Sequence, residues 1–92
     1  MRVDRFLWFA RIVKTREQAQ ALAEDGRLRM DGRTITRSSA QVRVGSVLTF
    51  AHHERVRVIR VAALPVSRGP AADAAACIDD LIPGVDASAV AT

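Results

Sequence analysis

The stretch that decides the fold is residues 14–33, which read KTREQAQALAEDGRLRMDGR. Thr15 followed three positions later by Gln18 forms a capping box, in which each residue satisfies a free backbone amide of the other. This pattern predicts a helix that begins at Arg16. Gly26 provides the left-handed residue that commonly ends a helix, so we expect the helix to stop just before it.

The second half of the same stretch predicts a β-hairpin. After Gly26 the apolar period changes from about 3.6 residues to about 2, because Leu28 and Met30 alternate with arginines. Asp31-Gly32 is a two-residue turn of the kind that hairpins prefer. The turn fixes three expected cross-strand pairs: Leu28 with Ile35, Arg29 with Thr34, and Arg27 with Thr36. One face of the hairpin then belongs to the core and the other carries the arginines.

Upstream, residues 3–13 predict a first helix, about 16 Å long at about 1.5 Å per residue. Its apolar arc consists of Val3, Phe6, Leu7, Phe9, Ala10 and Val13. The opposite arc consists of Asp4, Arg5, Trp8, Arg11 and Ile12. A connection of one or two residues would force a sharp turn at Lys14-Thr15.

Downstream, residues 46–50 and 55–62 predict two more strands, separated from the hairpin by a polar loop over residues 37–41. Ile59 interrupts the alternation of the last strand, so we expect a bulge or a twist there. Residues 71–82 are rich in alanine and favour a helix that Pro83-Gly84 ends, and residues 85–92 have the composition of a disordered end.

The charge of the chain changes at residue 69. The formal net charge is +4, but all 14 basic side chains lie in residues 1–68 together with six acids, while residues 69–92 carry four acids and no base. We therefore predict a basic domain over 1–68 and an acidic, Ala-rich extension over 69–92, partly helical and then disordered. Thirteen of the basic residues are arginine, whose planar guanidinium pairs with phosphate through parallel hydrogen bonds.

Residue types that support catalysis or metal binding are few. His52 and His53 are adjacent, so their side chains point apart and make a poor metal site. Cys77 is the single cysteine and lies in the Ala-rich extension. No glycine-rich phosphate loop occurs, because the glycines are isolated turn residues. We expect no enzyme activity, no cofactor, no metal and no small-molecule substrate.

The apolar segments are too short for a membrane protein, since none approaches the roughly 20 residues that span a bilayer. Charged residues interrupt the first apolar stretch, so it does not read as a secretory signal. We expect a soluble cytoplasmic protein without a membrane partner.

What remains is a set of basic and polar side chains on the exposed arc of the first helix, at the Lys14-Thr15 turn and on the hairpin. The residues are Arg5, Arg11, Lys14, Arg16, Gln20, Arg27, Arg29, Arg33 and Arg37. If the hairpin packs beside the helix pair, they form one cationic surface suited to RNA phosphates, although several could simply be solvated.

Trp8 stands among charged neighbours on the exposed arc, where an indole is unusual. It could stack on an unpaired base, or it could pack against the C-terminal extension, with Leu81 and Ile82 as partners. We favour the extension, because a short chain needs the buried area.

Four runs resemble the S-four RNA-binding domain, also called the alpha-L motif: VDRFL at 3–7, KTREQA at 14–19, EDGRLRMDGR at 24–33 and VRVGS at 42–46. The resemblance implies an α+β fold with two short N-terminal helices packed on a small, mostly antiparallel sheet. It also implies that the helix pair and the hairpin bind folded RNA, and it adds Thr15 to the RNA-binding residues.

Two further runs, LWFARIVKTR at 7–16 and RVAALPVSRGP at 60–70, are similar to the bacterial family of heat-shock proteins of fifteen kilodaltons. That family implies ribosomal RNA of the large subunit as the partner. More narrowly, it implies free large subunits that still hold a stalled nascent chain on tRNA after heat stress. The sequence departs from the family with Asp31 where Asn is usual, Ser46 where Asp is usual, and an acidic tail where some members have a basic one.

Two other readings remain open. The chain could be the RNA-targeting module of a separate RNA-modification enzyme, such as a pseudouridine synthase. It could also be an interaction module whose acidic tail covers its own basic face. DNA is disfavoured, since residues 19–23 are too small and apolar to form a recognition helix.

Overall fold

A computed structural model of the chain describes residues 1–52 and 54–86. Its elements are α1 (Val3–Phe9), α2 (Arg16–Glu24), β1 (Leu28–Met30), β2 (Arg33–Ile35), β3 (Val47–His52), β4 (Arg55–Val61), α3 (Ala71–Ala75) and β5 (Ile78–Asp86). The strands form one antiparallel sheet in the order β2-β1-β3-β4-β5. This architecture confirms the predicted α+β class, with two short N-terminal helices on an antiparallel sheet.

One hydrophobic core joins the two N-terminal helices to the sheet. Phe6 and Leu7 of α1 and Leu22 of α2 are almost fully buried, and they share a single cluster with Leu48 and Phe50 of β3. Each buried side chain removes apolar area from water, which is the main force that holds so small a domain together. The core therefore fixes α1 and α2, and with them the surface that these helices present.

The first helix is shorter than the predicted range of 3–13. It ends at Phe9 because Arg11 adopts a left-handed φ of +58°. The N–H of Ile12 donates to the Leu7 carbonyl at 3.0 Å and the N–H of Arg11 donates to the Trp8 carbonyl at 3.1 Å, which together form a Schellman motif. This turn carries Ile12 into the core, with 7% of its surface exposed, so its predicted place on the exposed arc was wrong. The connection to α2 spans residues 10–15 and is longer than predicted.

The second helix begins and ends where predicted, but the side chain of Gln18 reaches back to the Lys14 N–H and not to the Thr15 N–H. The N–H of Gln18 donates to Thr15 Oγ1 at 3.1 Å, and the Gln18 side chain accepts from the Lys14 N–H at 3.0 Å. The helix ends at Glu24, with Gly26 at a φ of +74° just beyond it. The capping box and the left-handed glycine therefore set the two ends of α2.

We expect Thr15→Ala to lower the free energy of unfolding by about 1 kcal/mol, because the Gln18 N–H loses its acceptor. Thr15→Ser keeps a hydroxyl at the same place and serves as the matched control. Urea denaturation followed by circular dichroism measures both variants. A Thr15→Ala protein as stable as the wild type would show that the cap contributes nothing.

The hairpin has the predicted register for two of its three pairs. Leu28 lies opposite Ile35 and Arg29 lies opposite Thr34, whereas Arg27 precedes β1 and takes no part in the ladder. Asp31 and Gly32 have φ values of 52° and 84°, the left-handed pair that a type I′ turn requires.

The segment after residue 68 differs from its prediction. In place of a helix over 71–82, α3 ends at Ala75 and β5 occupies Ile78–Asp86. β5 pairs with the edge of β4 and so satisfies backbone groups that would otherwise be exposed. Pro83 lies in an edge strand, one of the few places in a sheet where proline occurs. The register with β5 shifts on both sides of Val58, which confirms the irregularity predicted beside Ile59. Residues 87–92 of the predicted disordered end lie outside the described residues.

Candidate RNA interface

A cavity of about 230 Å³ opens between α1 and the first turns of α2. The residues that line it are Arg2, Asp4, Arg5, Trp8, Phe9, Arg16 and Gln20. Of the residues predicted to bind RNA, the cavity therefore brings together Arg5, Arg16 and Gln20. Three guanidinium groups against one carboxylate give the lining a net positive charge, which suits an anionic ligand such as a phosphate.

Arg2 is a candidate that the sequence analysis did not identify. Its Nε and Nη2 atoms donate to the two carboxylate oxygens of Asp4, each at 3.1 Å. The hydrogen bond to Asp4 is the main cause that raises the pKa of Arg2 above its ordinary value. The only signal in the sequence was an arginine placed two residues before an acid at the start of a helix.

Trp8 forms one wall of the cavity and lies close to two guanidinium groups. The Cζ atom of Arg16 is 4.5 Å from the centroid of the indole, and that of Arg68 is 5.3 Å away. Both distances are within the range of cation–π attraction. Of the two tail partners expected for Trp8, Leu81 is 41% exposed, and the side chain of Ile82 lies outside the described part of the chain. The residue that the C-terminal half brings to Trp8 is Arg68.

The corner between the two helices holds three more of the predicted residues. Thr15 uses its hydroxyl to cap α2, and the Lys14 side chain is exposed beside it. Arg11 is exposed, but its Nε atom donates to the carbonyl of Gly69 at 2.7 Å. Of these three side chains, Lys14 is therefore the one available to bind a ligand.

The hairpin carries the remaining candidates, all of them exposed: Arg27, Arg29, Arg33 and Arg37. Arg27 pairs with Asp25 at 3.2 Å, while the other three form no ion pair within residues 1–52 and 54–86. None of the four lines the cavity. Arg2 of the cavity reaches the segment that follows the hairpin, because its Nη2 atom donates to Ser38 Oγ at 3.5 Å. Three of the predicted residues therefore line the cavity, and four lie on or beside the hairpin.

Three of the four acids of the C-terminal extension lie on β5, which pairs with β4, and the fourth, Asp73, lies in α3. Asp80 accepts from Arg57 Nη2 at 2.7 Å, and Asp79 lies opposite Arg60 in the strand register. Within the described ranges, no acid of this extension forms an ion pair with a predicted RNA-binding residue.

Two further observations apply to residues 1–52 and 54–86. No group of three or more histidine, cysteine or carboxylate side chains is placed to hold a metal ion. No helix there has the length and apolar character that crossing a bilayer requires.

Comparison with known proteins gives the family. A family model described as S4 domain matches residues 1–48, which contain both N-terminal helices and the hairpin. The chain belongs to the S4 domain family. The S4 residues thus include the whole cavity lining and every residue that the sequence analysis proposed for RNA contact.

Individual relatives agree with the narrower resemblance. Heat shock protein 15 of Escherichia coli strain K12 is 30% identical over 86 residues, which cover 94% of this chain and 64% of the relative. The protein of the same name from Escherichia coli O157:H7 gives the same values. The chain thus spans 64% of the length of these curated relatives.

The fold has a solved counterpart. The trimeric structure of Heat Shock Protein 15 from Vibrio cholerae superposes with a TM-score of 0.81 at 24% identity, covering 99% of this chain and 86% of that chain. The agreement in fold also covers β4, α3 and β5, which lie beyond the residues that the family model matches. Together with the curated relatives, it confirms the resemblance found in the sequence runs.

Proposed function

We propose that this S4 chain binds structured ribosomal RNA and acts by binding alone, without catalysis, in the cytoplasm. The observation that carries the proposal is the cavity in which Arg2, Arg5 and Arg16 surround Trp8 and Gln20 within an S4 domain. The similarity to Heat shock protein 15 supports the ribosome as the place of action. The narrower target is the free large subunit that carries a stalled nascent chain on tRNA.

The two places that hold the candidate residues have different roles in this proposal. Arg5 and Arg16 bind phosphate at the cavity, with Lys14 beside them and Gln20 supplying amide groups for a ribose hydroxyl or a base edge. The hairpin binds a second stretch of the RNA backbone through Arg29, Arg33 and Arg37. Arg11, Arg27 and Thr15 contribute through the groups that their internal contacts leave exposed.

Salt dependence tests whether phosphate contacts carry the binding. About six contacts predict a plot of log affinity against log salt concentration with a slope of about −4 to −5. Filter binding or fluorescence anisotropy with a large-subunit ribosomal RNA fragment, measured from low to moderate salt, gives this slope. Affinity that hardly changes with salt would contradict binding through these arginines.

The RNA target is tested in cells. Crosslinking the chain to RNA and sequencing the attached fragments should give reads concentrated in large-subunit ribosomal RNA, and heating the cells should increase them. Reads spread over messenger RNA would overturn the ribosomal assignment. Co-purification of an RNA-modification enzyme would favour the targeting-module reading instead.

A further inference from the structure

Arg68 and Gly69 connect the C-terminal half of the chain to the corner between α1 and α2. The Arg68 guanidinium donates from Nη1 to the carbonyl oxygens of Trp8 and Val13, with 3.3 Å to the latter. Arg11 donates from Nε to the Gly69 carbonyl in the opposite sense. These contacts join positions 55 to 60 residues apart in sequence, so tertiary structure alone creates them.

The position of Arg68 has an electrostatic reason. The last turn of α1 contains no basic residue, although the carbonyl end of a helix carries partial negative charge. Arg68 supplies that positive charge from another part of the chain, at the Trp8 carbonyl itself. The hydrogen bond from Arg11 to the Gly69 carbonyl then helps to hold Arg11 in its left-handed backbone conformation, which residues other than glycine seldom adopt.

The same guanidinium faces the indole of Trp8, which also contacts Arg16. Arg16 lines the cavity and is exposed, whereas Arg68 is only partly exposed and lies outside the cavity lining. Trp8 therefore lies between Arg68, which makes the interior contact, and Arg16, which lines the cavity.

We infer that Arg68 is a positioning residue for RNA binding. It fixes the backbone and the indole of Trp8, and through the indole it holds the Arg16 guanidinium at the cavity. The inference rests on the proposed function. It differs from direct contact, because Nη1 of Arg68 donates to two carbonyl groups of the chain.

The first test uses Arg68→Gln with Arg43→Gln as the matched control. Arg43 is an exposed loop residue whose side chain has no ion pair within the described residues, so its loss removes the same charge without touching the corner. We expect affinity for the ribosomal RNA fragment to fall about tenfold in Arg68→Gln and less than about twofold in Arg43→Gln. Equal losses in the two variants would overturn the inference.

A second readout does not depend on RNA. Trp8 is the only tryptophan, so the fluorescence of the chain reports this residue alone. Arg68→Gln should shift the emission to longer wavelength and increase quenching by acrylamide, while Arg43→Gln should leave both unchanged. Emission and quenching identical to wild type in a folded Arg68→Gln protein would overturn the inference. A wild-type chain that fails to bind RNA, with these fluorescence changes present, would instead contradict the proposed function.

A double-variant comparison separates positioning from direct contact. If Arg68 acts through Arg16, then Arg16→Gln with Arg68→Gln should bind RNA little more weakly than Arg16→Gln alone. Losses that multiply would mean that Arg68 contacts RNA independently, and the inference would fail. If Arg68→Gln lacks the native circular dichroism spectrum, Arg68→Lys replaces it, with an expected loss of about threefold and a smaller red shift. Wild-type affinity and emission in that variant would contradict the inference.

Discussion

Arg16→Glu is expected to weaken binding to the ribosomal RNA fragment by about 30-fold or more. The substitution would remove the proposed charge-assisted hydrogen bond to phosphate, a type of bond that contributes about 1.5–3 kcal/mol, and would put a carboxylate in its place. It also removes the cation–π contact with Trp8. The slope of log affinity against log salt should become shallower by about one for the lost phosphate contact.

The fold should tolerate this change. Arg16 is the first residue of α2 and is exposed, and an acidic side chain in the first turn of a helix interacts favourably with the helix dipole. A loss of binding in Arg16→Glu therefore cannot be assigned to unfolding if the midpoint of urea denaturation stays at or above the wild-type value.

Arg43→Glu is the matched control, because it makes the same change of charge outside the cavity and the hairpin. We expect it to reduce affinity by less than about threefold at moderate salt, where charges farther apart than about 10 Å are screened. If both reversals weaken binding equally, RNA attraction depends on overall charge, and the cavity is not the binding site.

The sequence predicted α2 and the hairpin well because their signals are local. The hydroxyl of Thr15 and the side chain of Gln18 act within one helical turn, and Gly26 ends the helix through its own backbone conformation. The Asp31-Gly32 turn likewise fixes the register of β1 and β2 by its own geometry. None of these features depends on a distant part of the chain.

The end of α1 and the formation of β5 could not be read in the same way. Val13 continues the apolar period of α1 and Ile12 does not, yet a left-handed turn at Arg11 buries both, and an arginine gives no sign of that conformation. The Ala-rich composition after residue 70 favours a helix, but pairing with the edge of β4 decides the structure of Ile78–Asp86. Tertiary pairing outweighs local propensity there.

The candidate site was likewise predictable only in part. Exposure of Arg5, Arg16 and Gln20 followed from helical periodicity, and the structure brings these three together. The partners of Trp8 did not follow, because Arg68 reaches the indole from 60 residues away and Arg16 approaches it across the interhelical turn. Arg27, Arg29, Arg33 and Arg37 do not line the cavity, so the expectation of one contiguous cationic surface stays a prediction.

Phe6→Ala is expected to lower the free energy of unfolding by about 3–5 kcal/mol, the largest effect on stability that we predict. Phe6 has no exposed surface and belongs to the core that joins α1 to the sheet. A domain of this length has a total stability of roughly 5–14 kcal/mol, so the loss is about a fifth of the total or more. Urea denaturation should show a lower midpoint with an unchanged slope.

Phe9→Ala is the matched control, since Phe9 lies one turn later in α1 but is only partly buried. Its side chain loses less apolar contact with the core, and we expect a cost of about 1–2 kcal/mol. Equal costs for the two variants would mean that α1 does not bury the face that Phe6 occupies. Because α1 carries Arg5 and Trp8, saturating RNA should return part of the stability lost in Phe6→Ala, as binding to the folded state alone requires. If RNA leaves the midpoint of urea denaturation unchanged in both the wild type and Phe6→Ala, then RNA binding does not depend on the core that holds α1.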